Sequence, residues 1–598
     1  MEEARSSLSL QGRVWHEREG DTLATLAMAQ RMDLDPLVAK VLATRGVLPE
    51  NADAFLTPRL KYLLPDPFTL KDMDLATQRL YQAVRRREKI VIFGDYDVDG
   101  ATSSALLYRA LAALGVTAQI YIPDRLKDGY GPSVAAMERF HKQGAHLVVT
   151  LDCGTTAFEP LMRAKELGLD VIVIDHHEAE PRLPDVCALV NPNRLDEDQD
   201  DLRHLAAVGV TFVVLVGLWR VVRENEPARP LPNLMDFLDL VALGTVCDVV
   251  RLQGLNRAFV SQGLKVMAGR TNAGLCALMD LCALKERPSA YTLGFVLGPR
   301  INAGGRVGES SLGARLLTTQ DAIEAAAIAQ QLNGYNIERQ ALEEVALFEA
   351  QEQALEQLDK RMIVVGSKDW HPGVIGIVAG RLKEQYHKPT FALSFWEGDE
   401  AGKGSGRSIT GISLGGLVHA AKQKGLIIGG GGHAMAAGLS LTRAQVEDFH
   451  GFCEERLVTL GDEPLPTALY DGVLTVEGCH LTLIEALSRL EPFGQGNPSP
   501  RFVLENVWVE SAFPVGQDHL KCRLRGASGA LCDAIAFRCM GTDLGRALVG
   551  RDQALHILGN LKKNTWQGVD KAQFIIEDAV FSSQSTGIFK PNNMRQAS

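Results

Sequence analysis

From Lys89 onward the apolar positions arrive in short runs at regular intervals. Lys89–Phe93, Ala118–Ile122, Leu147–Leu151 and Val171–Ile174 read as strands. Ala101–Leu114, with small and apolar residues on one face, reads as a helix, as do Val134–Gln143 and Phe158–Leu167. Strands of four or five apolar residues alternating with helices predict a parallel α/β sheet covered on both faces. Residues 203–222 and 234–250 are largely apolar and predict helices packed on the same domain. Residues 321–360 are rich in Ala, Glu and Gln, with Gly334 as the interruption, and predict a long solvent-bridging helix between two lobes.

A second α/β pattern follows, with strands at Met362–Val365 and Thr390–Ser394, a helix at Gly373–Glu384 and Gly-rich loops at 402–407 and 429–438. Beyond Pro464-Leu465-Pro466 the texture changes. Phe502–Val509, Leu520–Leu524, Cys532–Phe537, Ala554–Leu561 and Gln573–Ile576 are spaced as the strands of a small β-barrel. The expected layout is an N-terminal extension (1–75), an α/β domain with a parallel sheet (76–318), a connecting helix (319–360), a smaller α/β domain (361–463), a barrel (466–581) and a disordered tail (582–598).

The chain's 598 residues suffice for three or four domains, and its 46% hydrophobic and 23% charged residues are those of a soluble globular protein. No apolar run approaches the roughly 20 residues of a membrane span. The charged start Met1-Glu2-Glu3-Ala4-Arg5 lacks an apolar core, so a cytoplasmic protein is expected. Ten scattered cysteines, none in a C-x-x-C pair, predict neither a disulfide framework nor a zinc knuckle. The net charge of −11 argues against a nucleic-acid partner, but the charge is uneven. Residues 361–424 hold nine Lys/Arg against five Asp/Glu, and residues 518–565 hold eight against four, so a polyanion has basic tracks to follow.

Four acidic clusters change the picture most. They are Gly94-Asp95-Tyr96-Asp97-Val98-Asp99-Gly100, Thr150-Leu151-Asp152-Cys153-Gly154, Asp175-His176-His177 and Val246-Cys247-Asp248-Val249-Val250. Each closes an apolar run, where a buried parallel strand finishes and where such sheets bind ligands. Carboxylate and imidazole groups without thiolates suit Mn²⁺ or Mg²⁺ better than zinc. Such a turn can aim Asp97 and Asp99 at adjacent cations; Asp152 could bridge them, His176 would supply a neutral nitrogen and Asp248 would complete the set. Two ions about 3.5–4 Å apart activate a water, steady the leaving oxygen and clamp a phosphate. An Asp at a strand-to-helix turn is also a common helix N-cap, an alternative that stands for any one of these aspartates, Asp97 above all, but not for the clusters together.

These clusters resemble the DHH phosphoesterase superfamily. Within it, the chain is similar to the RecJ family of single-strand-specific exonucleases. That similarity rests on Asp95–Gly100, Pro299-Arg300-Ile301-Asn302-Ala303-Gly304-Gly305-Arg306, Trp370-His371-Pro372-Gly373-Val374-Ile375-Gly376, Gly404-Ser405-Gly406-Arg407-Ser408, Gly431-Gly432-His433-Ala434 and Pro492-Phe493-Gly494-Gln495-Gly496-Asn497-Pro498, in order over about residues 10–580. It implies that Asp97 and Asp152 hold one Mn²⁺ or Mg²⁺, and that Asp99, Asp152, His176 and Asp248 hold the other. Asp95 is implied as a ligand or a support behind the ligands, Asp175 as the group orienting the histidines and His177 as a contact to the scissile phosphate.

The resemblance also makes residues 361–460 the DHH-associated domain and the barrel an OB-fold. The 404–408 loop is then a phosphate site through its backbone N–H groups, Ser405 and Arg407. His433, Arg300, Asn302, Arg306 and, near a DNA entrance with Gly129-Tyr130-Gly131, Arg125 are further substrate contacts; a structural role for Arg300, Asn302 and Arg306 in fixing the lobes stands beside this. Lys521, Arg523, Arg525, Lys562 and Lys563 would charge the barrel groove, with Trp508 or Trp566 either stacking on bases or packing in the core.

The activity implied is metal-dependent 5′ to 3′ hydrolysis of single-stranded DNA to mononucleotides in recombination and repair. A monomer is expected, working with single-stranded DNA-binding protein and a RecQ-type helicase. The alternatives are a DHH phosphohydrolase acting on short oligonucleotides or cyclic dinucleotides, which lacks the extra barrel, and a replication scaffold of the same fold, which has lost metal ligands.

Overall fold

The computed structural model describes residues 8–124, 128–396, 400–459, 461 and 465–584. The chain divides into two compact units. One runs over Pro65–Val250 and Gln262–Pro464; the other gathers the residues up to Leu64, Arg251–Ser261 and those from Leu465 on.

The larger unit holds two sheets. The first is five-stranded and wholly parallel, in the order Gln119–Tyr121, Ile90–Gly94, Leu147–Leu151, Asp170–Ile174, Ala188–Val190. Its central strands are buried on both sides, which is why they read as continuous apolar runs. Val91, Phe93, Val148 and Val173 pack on one face against Met137, Phe140 and Leu161 of the helices Val134–Lys142 and Phe158–Glu166. The helices Val98–Ala113 and Ala207–Asn225 also pack on the sheet.

Ala322–Leu355 is one continuous 34-residue helix that passes through Gly334 without a break. No atom approaches within 4 Å of where a Cβ would stand there. Ile328 and Leu332 bury toward the first lobe, and Ala346, Ala350 and Ala354 belong to the core beneath the second sheet.

The second sheet runs Gly429–Gly432, Ala436–Thr442, Ala401–Arg407, Thr390–Ser394, Ile363–Ser367, with only the last pair parallel. The segments expected as Gly-rich loops are therefore strands. Glycine is required because Phe395, Leu439 and Phe391 lie over Gly402, Gly404 and Gly406, where a Cβ would stand 2.4–2.6 Å from them. Ladder hydrogen bonds do not need side chains, so the composition misleads here.

In the other unit, Phe502–Val515, His519–Arg525, Leu531–Ala536, Val569–Phe581 and Leu555–Trp566 pair in that order, and Leu555–Trp566 returns to Phe502–Val515 to close a barrel. The N-terminal helices, read as a separate extension, send Met28, Leu34, Val38 and Leu42 into the same core as Phe502, Leu504, Leu524 and Ile557. Val14–Glu17 pairs in parallel with Thr467–Tyr470. Buried Asp578 accepts from Ser9 Oγ at 2.6 Å, Trp15 Nε1 at 3.0 Å and the Gln11 N–H at 3.1 Å. Trp508 and Trp566 are 42% and 72% exposed, so neither fills the core. Ser582–Gln584 forms a 3₁₀ turn, and the rest of the expected tail lies outside the described residues. Among the described residues, no helix is long and apolar enough to cross a membrane.

Candidate active site

Three of the four acidic clusters stand side by side at the carboxyl ends of the first sheet. The Asp95 N–H donates to Leu151 O at 3.3 Å, Asp152 N–H to Ile174 O at 3.1 Å and Asp175 N–H to Val190 O at 3.1 Å. Each aspartate thus sits one residue past the last ladder bond, with its backbone pinned by the neighbouring strand. Asp152 takes φ of +63°, a left-handed conformation that an Asp tolerates and that often marks a functional turn.

The first cluster turns directly into the helix Val98–Ala113. Asp97 is its N-cap and accepts from the Gly100 N–H at 3.0 Å, so the capping role is real and coexists with its place in the cluster. Asp99, in the first turn of that helix, is fully buried. It accepts from the Ala207 and Val208 N–H groups at 2.6 and 2.9 Å, the open N-terminus of the helix Ala207–Asn225.

The fourth cluster differs from the other three. Asp248 caps the C-terminus of the helix Leu238–Cys247, inside the apolar run 234–250 that predicts helix, rather than ending a strand. That helix is apolar on all sides, and a short apolar run does not itself distinguish helix from strand.

Side chains from all four clusters converge. His176 Nε2 lies 3.2 Å from Asp152 Oδ1, 3.7 Å from Asp248 Oδ2 and 3.9 Å from Asp99 Oδ2. Asp95, Asp97 and Asp152 bring one oxygen each within 4.8 Å of one another, as Asp99, His176 and Asp248 do with their ligand atoms, and Asp152, His176 and His177 with theirs. Asp152 and His176 therefore lie where the groups overlap.

Asp175 stands behind them. Its Oδ1 accepts from the His176 N–H at 2.7 Å, the His177 N–H at 3.2 Å and His177 Nδ1 at 2.7 Å, while Oδ2 accepts from the Thr155 N–H at 3.0 Å. Tyr130 donates its hydroxyl to Asp152 O at 3.3 Å and sits 3.3 Å from His177 Nε2.

Burial and repulsion among the carboxylates push Asp152 well above its ordinary range, Asp99 up to about 7 and Asp248 up to about 9. Burial and the His177 charge bring His176 down to about 4, so it is neutral. Burial also acts against the charge of His177, but the Asp175 hydrogen bond and charge outweigh it and lift the imidazole to about 9. Asp175 moves oppositely. Despite burial, His177 and the Thr155 N–H hold it well below the ordinary carboxylate range.

Asp152 Oδ1, His176 Nε2 and Asp248 Oδ2 are buried without a hydrogen-bond partner among the described residues. The Leu205 backbone hydrogen-bonds the His176 ring and favours its charged form, the kind of contact that supports a metal-bound imidazole. Convergent oxygens, one neutral nitrogen and repulsion that only a cation relieves fit hard divalent ions.

Sequence reasoning passed over two supports. Asn191 Nδ2 donates to the His177 carbonyl at 2.8 Å and to Thr155 Oγ1 at 2.9 Å, and Asn193 Nδ2 bonds the His176 carbonyl. Both follow the short strand Ala188–Val190, and the apolar Ala188-Leu189-Val190 before Asn191-Pro192-Asn193 is the signal that could have found them.

The substrate candidates divide. Arg125 lies outside the described residues. Arg300 donates to Asn333 Oδ1 at 3.0 Å and Val296 O at 2.7 Å, a structural role. Asn302 sits half-buried on the helix Gly298–Val307, and Arg306 NH1 donates to Gly373 O at 3.1 Å, linking the lobes. Backbone N–H groups at 402–407 belong to a central strand and are not free to cradle a phosphate. The Ser405 and Arg407 side chains remain. Both reach the first turn of the helix Ile375–Tyr386, where Ser405 Oγ and Arg407 NH2 lie 3.0 Å from where a Gly376 Cβ would stand. His433 Nδ1 lies 3.6 Å from Glu178 Oε2, next to His177, so the second lobe reaches the mouth of the first sheet.

Aspartates at adjacent mouths of a parallel sheet, gathered around a supported His-His pair, define a phosphoesterase of the DHH class. The DHH family N-terminal domain matches residues 89–245, the DHHA1 domain residues 359–459 and the RecJ OB domain residues 470–578. The single-stranded-DNA-specific exonuclease RecJ of Bacillus subtilis is 34% identical over 577 residues, 95% of this chain and 71% of its own. That of Salmonella typhimurium is 37% identical over 549 residues, 88% of this chain and 92% of its own. RecJ of Thermus thermophilus, solved in complex with Mn²⁺, superposes with a TM-score of 0.81 at 30% identity, covering 95% of this chain and 80% of that one; its Mg²⁺ complex gives 0.75 at 28% identity over 95% and 78%. The chain belongs to the RecJ family of single-stranded-DNA-specific exonucleases.

Proposed function

We propose that the chain is a metal-dependent exonuclease that digests single-stranded DNA from the 5′ end to mononucleotides. The observation that carries the proposal is the cluster of buried carboxylates around neutral His176, each pinned at a strand mouth or a helix end, in a chain whose relatives are RecJ enzymes. Asp95, Asp97 and Asp152 would hold one Mn²⁺ or Mg²⁺, and Asp99, Asp152, His176 and Asp248 the second. When bound, such ions neutralise phosphate charge and lower the pKa of water.

The chain's own groups do the positioning. Asp175 fixes the backbone and ring of His177, which stays protonated and is poised to donate to a phosphate oxygen. Ser405 and Arg407, beside a helix N-terminus, suit a terminal 5′ phosphate and would set the direction of digestion. His433 would close over the same strand. Asn302 and Arg306 border the track, and Arg125 belongs to the same proposal. Within this reading the enzyme acts as a cytoplasmic monomer in recombination and repair, on strands opened by a RecQ-type helicase and covered by single-stranded DNA-binding protein.

The test is digestion of 5′- and 3′-labelled single strands, duplexes and a dinucleotide, with and without Mn²⁺. Mononucleotide release from 5′-phosphorylated single strands, lost on chelation and in Asp152→Ala, is expected. Hydrolysis of the dinucleotide alone would reassign the substrate to the short-oligonucleotide class.

A further inference from the structure

Tyr291 and Phe295 form a stacked aromatic pair, with ring centroids 4.9 Å apart and planes 21° apart. Both face solvent, at 64% and 70% exposure. Large exposed aromatics stacked on each other cost hydrophobic free energy unless their open faces meet a partner.

The segment bearing them is built to hold still. Phe295 lies in a π-helical turn, Thr292–Leu297, a rare conformation enriched at functional sites, and Tyr291 is the residue that opens it. Ser289 and Thr292 bond reciprocally at its start, Ser289 N–H to Thr292 Oγ1 at 3.2 Å and Thr292 N–H to Ser289 Oγ at 3.3 Å. Arg300 ties its far end to Asn333 of the long helix and to Val296 O.

It is also continuous with the catalytic cluster. The Cys247 thiol, one residue before Asp248, donates to Leu293 O at 3.5 Å. Gly298 approaches Cys247 so closely that a Cβ would stand 2.5 Å from its sulfur. The turn that carries the platform and the helix end that carries Asp248 thus share one packed interface.

We infer that Tyr291 and Phe295 are a stacking platform for an unpaired base of the substrate strand, which rests on the single-stranded-DNA reading above. A single strand offers unstacked bases whose π-faces suit such rings regardless of sequence, while bases stacked within a duplex do not. The pair therefore adds selectivity for single strands at the site itself.

The test uses full-length enzyme and 5′-phosphorylated oligothymidylates carrying one abasic residue, moved stepwise from the 5′ end. In the wild type, one position of the abasic residue is expected to raise KM by about 5- to 150-fold, the range for loss of one base–aromatic stack. The Tyr291→Ala/Phe295→Ala enzyme should show that increase on the intact strand, with kcat little changed, and be indifferent to the abasic residue there. Tyr291→Leu/Phe295→Leu, which keeps apolar bulk without rings, should behave the same way, and Phe295→Trp should restore binding.

Wild-type KM in the double variant, or undiminished sensitivity to the abasic residue, would overturn the inference. So would an equal loss on a dinucleotide, or a dimer by light scattering that the variant dissolves. If the wild type digests no single strand at all, the functional proposal fails instead.

Discussion

Gly100→Ala probes how the first acidic loop is held. Gly100 lies in the first turn of the helix Val98–Ala113 against the backbone of Asp95. A Cβ there would stand 2.4 Å from Asp95 O, 2.6 Å from its nitrogen and 2.7 Å from its carbonyl carbon. All three atoms are main chain, so no rotamer relieves the clash. Moving the 2.4 Å contact out to 3.0 Å requires a shift of at least about 0.6 Å between strand end and helix. That shift separates Asp95, at the strand end, from Asp97 and Asp99, which travel with the helix.

Misplacing reacting groups by about 1 Å costs on the order of 100-fold in rate, and overpacking costs about 1–3 kcal/mol. We expect kcat/KM on single-stranded DNA to fall by about 10- to 100-fold, with weaker Mn²⁺ binding by calorimetry and a lower melting temperature. An enzyme with Gly100→Ala within about threefold of wild type in both kcat/KM and Mn²⁺ affinity would refute the reasoning that backbone contact sets the spacing of these carboxylates.

Two further changes test stability. Burial raises the Asp239 carboxyl to about 6 from 3.8, against the Leu240 N–H bond and the Arg109 charge, which lower it. The folded chain therefore keeps a proton that the unfolded chain releases, so stability is full below 3.8 and declines as pH rises through 6. Above that the loss is about 3 kcal/mol, so Asp239→Asn should stabilise by up to that amount at neutral pH and by little near pH 4. Denaturant melts at the two pH values check it, and a gain independent of pH counts against it. Asp578→Ala strips the acceptor from Ser9, Gln11 and Trp15 and should cost the barrel unit about 3 kcal/mol or more. Differential hydrogen exchange should locate the loss there, and uniform protection in both enzymes would disprove the anchoring role.

The parallel sheet was legible because its strands are buried on both faces, which leaves an unbroken apolar run in the sequence. The acids at their ends were legible because a turn from strand to helix leaves few other uses for three aspartates in five residues. Asp248 was legible both as an acid closing an apolar run and, from the length of the run 234–250, as the end of a helix; what the run did not show is that this helix end sits beside the strand mouths. The glycine strands of the second lobe were read as loops because glycine signals turns locally, whereas here it makes room for phenylalanines from neighbouring strands. Asn191 and Asn193 were missed because their value lies in carbonyls 14 and 17 residues away. The N-terminal helices looked chemically silent because their partners lie more than 400 residues further along, and no local pattern records so distant a pairing.

That distance has a consequence for biosynthesis. Val14–Glu17 completes its pairing only with Thr467–Tyr470. On the ribosome, the two-lobed unit emerges and can fold while the first helices still wait with Met28, Val38 and Leu42 uncovered. The barrel residues that cover them are translated more than 400 residues later. Until those residues emerge, Met28, Val38 and Leu42 lack the core that buries them in the folded chain, so the metal-site clusters are synthesised well before these helices find their partners.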